Sequence, residues 1–375
     1  MNPLRHLFAF TALVFTNALP LANAQEPTHS PSRALAEEFG SLSNARVAIE
    51  MPDPQIELTY FAGSIPAADL KEISRLAPNV KIITGLSKNE ALARAAEADG
   101  IDARYASPEF LTKASKLRWV QVQSAGVDRY ITIKPLIEND NIVLTNFRAI
   151  HGPAIADHAL AMLLSLTRNL NYHAANQQQS QWKRGRSPNQ SIALKGKTIL
   201  VVGLGGIGSE IAQRAHGFGM RVIGTRRSNK PSPNFIERVG KPKDLLTMLP
   251  EADVVALAVP LTSETKNLLD ATAFEAMKPG SFLINIARGK VVDTEALLAA
   301  LKSGKLAGAG LDVTDPEPLP EDHPLWKQPN LIITPHIAGK SAVTNERRSA
   351  LTIENLRRFG AGEPLLNVVD KIAGY

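Results

Sequence analysis

The 375-residue sequence contains no cysteine. That excludes disulfides, thiolate nucleophiles and thiolate metal sites, and it is compatible with an oxidising compartment. Charge of one sign is also lacking: 42 basic residues face 36 acidic ones, a formal net charge of +6. Spread over this length, such a balance favours anionic ligands without arguing for nucleic acid. No basic run with interleaved aromatics is present, and the nearest stretch, "WKRGRS" at 182–187, reads as a solvated loop. The histidines show no metal-ligand spacing. Internal repeats and low-complexity segments are absent from the sequence. With 44% hydrophobic and 21% charged residues, what remains is a globular chain long enough for two domains.

A long unbroken apolar run is missing too. The N-terminus places Arg5 before apolar residues that extend from Leu7 to Phe15, and Thr16, Asn17, Pro20 and Asn23 then interrupt it. This is too broken for a membrane span. Ala22-Asn23-Ala24 before Gln25 is a small-residue cleavage pattern, so residues 1–24 read as a secretory signal peptide. Arg5 has no arginine neighbour, which argues against a twin-arginine signal. The expectation is a periplasmic or secreted protein with no membrane association after processing. A cytoplasmic location is the alternative.

Residues 25–45 form a polar lead-in, and from about Ala45 to Asn146 short apolar runs alternate with helical patterns. "VKIITGL" (80–86), "LRWVQVQS" (117–124) and "NIVLTN" (141–146) are predicted strands, and "NEALARAAEA" (89–98) a helix capped by Asn89. Such alternation predicts a small parallel sheet with covering helices. A helix apolar on nearly all sides opens at Gly152-Pro153, with proline at its favoured first position. A long polar loop is expected over 171–190. Residues 195–335 then repeat strand and helix: "KTILVVG", "RVIGT", "DVVALAV", "SFLINIA", "AGAGLDV" and "LIITPH" are the strands. Asp293 caps the clearest intervening helix, with Gly304 just past its end.

"GLGGIG" places Gly203, Gly205 and Gly208 between a strand and a helix, followed by a second strand. The glycines allow a tight turn, close approach of backbone to a pyrophosphate and tight helix–strand packing. The amides of Gly206 and Ile207 would face that phosphate at the helix N-terminus. In this context the pattern predicts nucleotide binding. An acidic residue commonly ends the second strand and accepts from the ribose 2′-OH. Here Arg226 stands in its place, with Arg227 and Lys230 nearby. A guanidinium fork suits a 2′-phosphate, so NADPH is expected over NADH. A solvated basic turn serving both cofactors is the alternative.

"GLGGIG", "NIARGKVVD", "GAGLDVTDPEPLP" and "LIITPHIAG" occur in this order, and with them the chain resembles the D-isomer-specific 2-hydroxyacid dehydrogenases, including their glyoxylate and hydroxypyruvate reductases. The likeness runs from about residue 80 to 370. It implies an α/β fold with two doubly wound parallel-sheet domains, a Rossmann cofactor domain being inserted in a split flavodoxin-like substrate domain. Residues 45–150 would form the substrate domain, with 340–375 returning to it, and 151–339 the NAD(P)-binding domain. It further implies a homodimer, the 171–190 segment lying where the family's dimer arm lies. The implied reaction passes a hydride between NADPH and a small 2-oxo acid.

The motif residues suit that chemistry. A 2-oxo acid needs a clamp for its carboxylate and a proton donor for the forming alkoxide. Arg288 offers a permanently charged clamp and by resemblance is the family's substrate arginine. His336 follows a strand end, where open α/β sheets place ligands, and by resemblance is the general acid/base. Glu317 matches its carboxylate partner. "QSAGVD" (123–128) matches the loop whose Ala125 and Gly126 amides bind substrate. Val259, Pro260, Ala287, Asp312 and His336 match positions around the nicotinamide. His151, His158 and His323 are assigned structural or surface roles. Asp157 departs from the family's glutamate, the His151-Gly152-Pro153 entry is unusual, and residues 45–75 fit the pattern poorly. A non-catalytic nucleotide-sensing protein on the same fold is the competing reading.

Overall fold

The computed structural model describes residues 56–184 and 190–374. The expected signal peptide and the polar lead-in lie outside them. Two all-parallel sheets organise the chain. The first holds β1 (Leu58–Phe61), β2 (Val80–Ile83), β3 (Gly100–Asp102), β4 (Trp119–Gln121) and β5 (Val143–Thr145), in the order β2-β1-β3-β4-β5. The second holds β6 (Thr198–Val202), β7 (Arg221–Thr225), β8 (Ile236–Gly240), β9 (Val254–Leu257), β10 (Ser281–Asn285), β11 (Leu306–Leu311) and β12 (Leu331–Ile333). Its order is β12-β11-β10-β9-β6-β7-β8. Both are doubly wound, and the second has the Rossmann order with one added strand. Strands β6, β9 and β10 are buried along their whole length, which explains the unbroken apolar runs in their sequences.

Four helices position these sheets: α1 (Ala67–Leu76), α2 (Gly152–Thr167), α3 (Gly206–Gly217) and α4 (Ala342–Ala361). Helix α2 crosses from the first sheet to the second and buries Ala156, Ala159, Leu160, Met162 and Leu163. Helix α4 is capped by Ser341, whose hydroxyl accepts from the Thr344 amide, and it ends at Gly362 in the left-handed conformation. It crosses back to the first sheet, where Ile353, Leu356 and Phe359 pack against Leu58, Tyr60 and Trp119. The Phe359 and Trp119 rings lie 5.1 Å apart. Buried Asn355 donates to the Gln121 side chain in β4 and accepts from the Leu366 amide, so the return is locked by directional bonds as well as by apolar burial. No described helix is long and apolar enough to cross a membrane.

The two crossings meet at His151 and Gly339, where a Cβ on Gly339 would lie 3.0 Å from the imidazole Cδ2. Burial pushes the His151 pKa down from 6.5 to about 4; the Arg348 charge adds to this, and a hydrogen bond with the Phe147 backbone opposes it. The unfolded chain therefore takes up a proton on acidification before the folded chain does, and stability falls as pH drops from 6.5 towards 4. Between about pH 7.5 and about pH 5 this one group removes roughly 2 kcal/mol. Urea unfolding of His151→Asn should lack that share of the acid loss. An unchanged pH profile would refute the assignment.

Several sequence expectations need correction. The helix of the 88–98 region spans Lys88–Ala93 and is capped by Ser87, not Asn89. The Ser87 hydroxyl accepts from the Glu90 amide and the Glu90 carboxylate from the Ser87 amide, a reciprocal box that outcompetes a cap two residues later. The expected loop over 171–190 begins instead as a helix, Leu170–Gln178. Its alanines and glutamines are good helix formers, and the chain restarts after Asn169 at φ +54°. Strands β1, β3 and β8 have no counterpart among the predicted strands. The poorly matching 45–75 region supplies β1 and α1, and β1 pairs with both β2 and β3.

Candidate active site

All the second sheet's predicted site residues lie beyond the C-terminal ends of its strands. The turn after β6 carries Gly203 at φ +101°, and a Cβ on Gly208 would sit 2.0 Å from the Gly203 carbonyl oxygen. Only glycine permits that closeness between strand and helix. At Gly205, the N-cap of α3, nothing lies within 4 Å of a built Cβ. That opening borders the first turn of α3, where the Gly206 and Ile207 amides begin the helix. The geometry fits a dinucleotide: closed where backbone must pack, open where a pyrophosphate must approach. Val259 and Pro260 follow β9, buried Ala287 follows β10 and buried Asp312 follows β11.

Arg226 begins directly after β7, and its amide donates to the Gly240 carbonyl at 3.0 Å. Its Nη1 reaches the Pro231 carbonyl at 3.4 Å, while Nε is buried with no hydrogen-bond partner among the described residues. A buried donor without an acceptor is costly, and an anion at this edge would supply one. Arg227 lies 4.0 Å from Glu264. Lys241 holds the loop between β7 and β8, its ammonium donating to the Arg227 carbonyl at 2.9 Å and to the Asn229 side chain.

Glu317 and His336 come together as the motifs require, with Nδ1 and Oε1 2.8 Å apart. With Nδ1 engaged by the carboxylate, Nε2 is the ring nitrogen left to face a ligand. The His336 backbone has φ +54°, a left-handed conformation that a non-glycine residue holds only under constraint. Asp312 supplies the constraint. Its carbonyl accepts from the His336 amide at 2.8 Å, and its buried carboxylate accepts from the Ile337 and Ala338 amides at 2.9 and 3.0 Å.

Arg288 leaves β10 through a turn tied by Asn285, whose side chain accepts from the Ala287 amide and donates to the Arg288 carbonyl. Its guanidinium reaches across to the first sheet, where a Cβ on Gly126 would fall 1.7 Å from Nη2. The carbonyls of the 123–126 loop are engaged by donors other than this arginine. Gln123 O accepts from Arg348, Ser124 O from the Phe147 amide, Ala125 O from Asn146 and Gly126 O from the Ser124 hydroxyl. The Ala125 and Gly126 amides donate to no other described residue. A guanidinium facing unpaired amides suits a carboxylate. No hydrogen bond joins Arg288 to His336 among the described residues.

The model of the D-isomer specific 2-hydroxyacid dehydrogenase NAD-binding domain matches residues 160–338. A glyoxylate reductase from Thermococcus litoralis is 38% identical over 269 residues, covering 70% of this chain and 80% of that enzyme. The chain belongs to the D-isomer specific 2-hydroxyacid dehydrogenase family. Among solved structures, a protein from Thermus thermophilus is 36% identical with a TM-score of 0.70, covering 83% of this chain and all of its own. A family member from Xanthobacter autotrophicus Py2, solved in complex with NADPH and MES, is 27% identical with a TM-score of 0.72, covering 85% of this chain and 100% of that one. The protein is thus an NAD(P)-dependent oxidoreductase acting on CH–OH donors.

The dehydrogenase also contains site residues that the motifs did not single out. Asp128, quoted only as the end of "QSAGVD", meets Arg288: Nε and Nη2 both lie 3.2 Å from Oδ1. His158, assigned a structural or surface role, lies 2.9 Å from the Thr334 hydroxyl, which donates to Asp312 Oδ1 at 2.6 Å. It therefore buttresses the carboxylate that shapes the His336 turn. Asp157, the departure from the family's glutamate, pairs with Arg214 and so joins α2 to α3.

Proposed function

We propose that the dehydrogenase reduces small 2-oxo acids, glyoxylate or hydroxypyruvate, to D-2-hydroxy acids with NADPH. The observation that carries this reading is the meeting of Arg288 with the Gly126 loop on the strand edge that also holds the Glu317–His336 pair. Residues 45–150 and 340–375 serve as the substrate domain and 151–339 as the cofactor domain. The T. litoralis relative named for glyoxylate reduction supports a small substrate. The NADPH held by the X. autotrophicus relative and an Arg226 Nε without a partner among the described residues support the phosphorylated cofactor.

The Gly203–Gly208 turn, Val259, Pro260, Ala287 and Asp312 would hold the cofactor, with Arg226 and Arg227 at its 2′-phosphate. When bound, NADPH supplies the hydride that reduces the carbonyl carbon. The chain's own residues do the rest. Arg288 and the Ala125 and Gly126 amides hold the substrate carboxylate and set the face that the carbonyl presents. His336 gives the Nε2 proton to the carbonyl oxygen as that oxygen gains charge. Glu317 keeps the ring oriented through Nδ1 and balances the imidazolium before transfer.

Trp182 is exposed on the 171–190 segment expected to form a dimer arm, and exposed Leu170 directly precedes it, which supports a homodimer. Export through the 1–24 signal peptide remains part of the proposal, with no nucleic acid or membrane partner. An exported enzyme would have to bind its cofactor tightly after crossing. Steady-state rates with glyoxylate, hydroxypyruvate, pyruvate and a branched 2-oxo acid, each with NADPH and NADH, test the reading. The highest kcat/KM should belong to glyoxylate or hydroxypyruvate with NADPH. Turnover confined to bulky acids would refute the substrate assignment, and a preference for NADH would refute the cofactor assignment.

A further inference from the structure

We infer that Asp128 is a positioning residue that aims Arg288 at the substrate carboxylate, an inference that rests on the reductase reading above. A guanidinium carries five N–H groups in one rigid plane. In Arg288, Nε and Nη2 are both 3.2 Å from a single oxygen of Asp128, so the side fork is occupied. Nη1 donates to the Ala287 carbonyl at 2.8 Å, so one of its two N–H groups is committed to the turn that carries the arginine. One N–H on each of Nη1 and Nη2 is left for a ligand, a pair that suits the two oxygens of a carboxylate. Asp128 thus fixes the rotation of the plane about its long axis and decides which edge faces the ligand.

The pair is built rather than incidental. Both side chains are partly buried, 27% and 29% exposed. A Cβ on Gly126 would lie 1.7 Å from Nη2 and 2.9 Å from Asp128 Oδ1, so the three groups converge on one point. Asp128 rides on a loop whose four preceding carbonyls are pinned, and the arginine it orients comes from the other sheet. A second carboxylate beside Asp128 meets like-charge repulsion, so the residue has two opposed effects on affinity. The unpaired loop amides offset the repulsion, and orientation dominates. The sign of the KM change on removal separates these effects.

The test uses Asp128→Ala and Asp128→Asn, each alone and in an Arg288→Lys background, with glyoxylate or hydroxypyruvate as substrate. Asp128→Ala should raise KM for the 2-oxo acid roughly tenfold to hundredfold and lower kcat, with KM for NADPH unchanged. Asp128→Asn keeps an oxygen acceptor and should recover most of the loss. With lysine at 288 there is no plane to orient and only the repulsion remains, so Asp128→Ala should then leave KM unaltered or lower it. A lowered or unchanged KM in Asp128→Ala, an asparagine variant no better than alanine, or an equal loss in the lysine background would each overturn the inference. Absence of wild-type turnover with any 2-oxo acid would overturn the reductase reading instead. The pair is then judged by melting temperatures of the same proteins: non-additive changes for Asp128→Ala and Arg288→Lys support the coupling, and additive changes overturn it.

Discussion

Replacing His336 with asparagine should lower kcat about a thousandfold while leaving NADPH affinity within a few-fold of wild type. Asparagine is the informative choice because the backbone at this position has φ +54°. Alanine would add strain there, whereas asparagine adopts the left-handed region readily. The loop should therefore survive, with Asp312 still accepting from the 337 and 338 amides. What disappears is the imidazole Nε2, the donor for the forming alkoxide. Glu317→Gln keeps an acceptor for Nδ1 but removes the balancing charge, so its loss should be smaller, roughly tenfold to hundredfold. Cofactor binding is the control, because the glycine turn lies on a separate strand. Turnover within tenfold of wild type in the asparagine variant would leave proton transfer without its assigned residue.

The second large effect is expected at the end of β7. Arg226→Asp should lower kcat/KM for NADPH by about a hundredfold or more and raise it for NADH, reversing the preference. The loss combines a charge-assisted bond worth about 1.5–3 kcal/mol with repulsion between carboxylate and 2′-phosphate. The gain follows because the new acid can accept from a ribose 2′-OH. Binding of each dinucleotide, followed by quenching of protein fluorescence, should move in the same direction as the kinetics. If NADPH affinity survives the substitution, the basic turn is solvated surface and Arg227 or another group holds any phosphate.

Much of this site is legible in sequence because it sits at strand ends, where local pattern and function coincide. "GLGGIG", "IARG" and "TPHIAG" each follow an apolar run that folds as β6, β10 or β12, so a strand assignment places the residue that follows. The Rossmann half is correspondingly clear. Its missed strand, β8, is the edge strand "IERVG", in which the charged Glu237 and Arg238 point to solvent and break the apolar signal. In the first sheet β3 is three residues long with no longer apolar run around it, whereas β4 and β5, equally short, sit inside the predicted runs at 117–124 and 141–146. The segment at 171–178, read from sequence as loop, carries a helix with almost no apolar face, so only its alanine and glutamine content favoured helix.

The site residues that escaped detection share a different cause. Asp128 and Arg288 stand 160 positions apart, and His158 and Thr334 stand 176 apart. Nothing in either local segment announces its partner. The first pair exists because the chain crossings bring the strand ends of one sheet to those of the other, and the second because α2 packs on the second sheet beside β12. Tertiary assembly therefore supplies what motif reading cannot: which carboxylate orients the arginine, and which side chains support the histidine turn.

The most direct measurement is a crystal structure of the complex with NADP⁺ and oxamate, an unreactive analogue of a 2-oxo acid. The expected result has the oxamate carboxylate on Arg288 and the Ala125 and Gly126 amides. Its carbonyl oxygen should lie within about 3 Å of His336 Nε2. Oxamate bound away from Arg288, or an imidazole turned with Nε2 away from that oxygen, would contradict it.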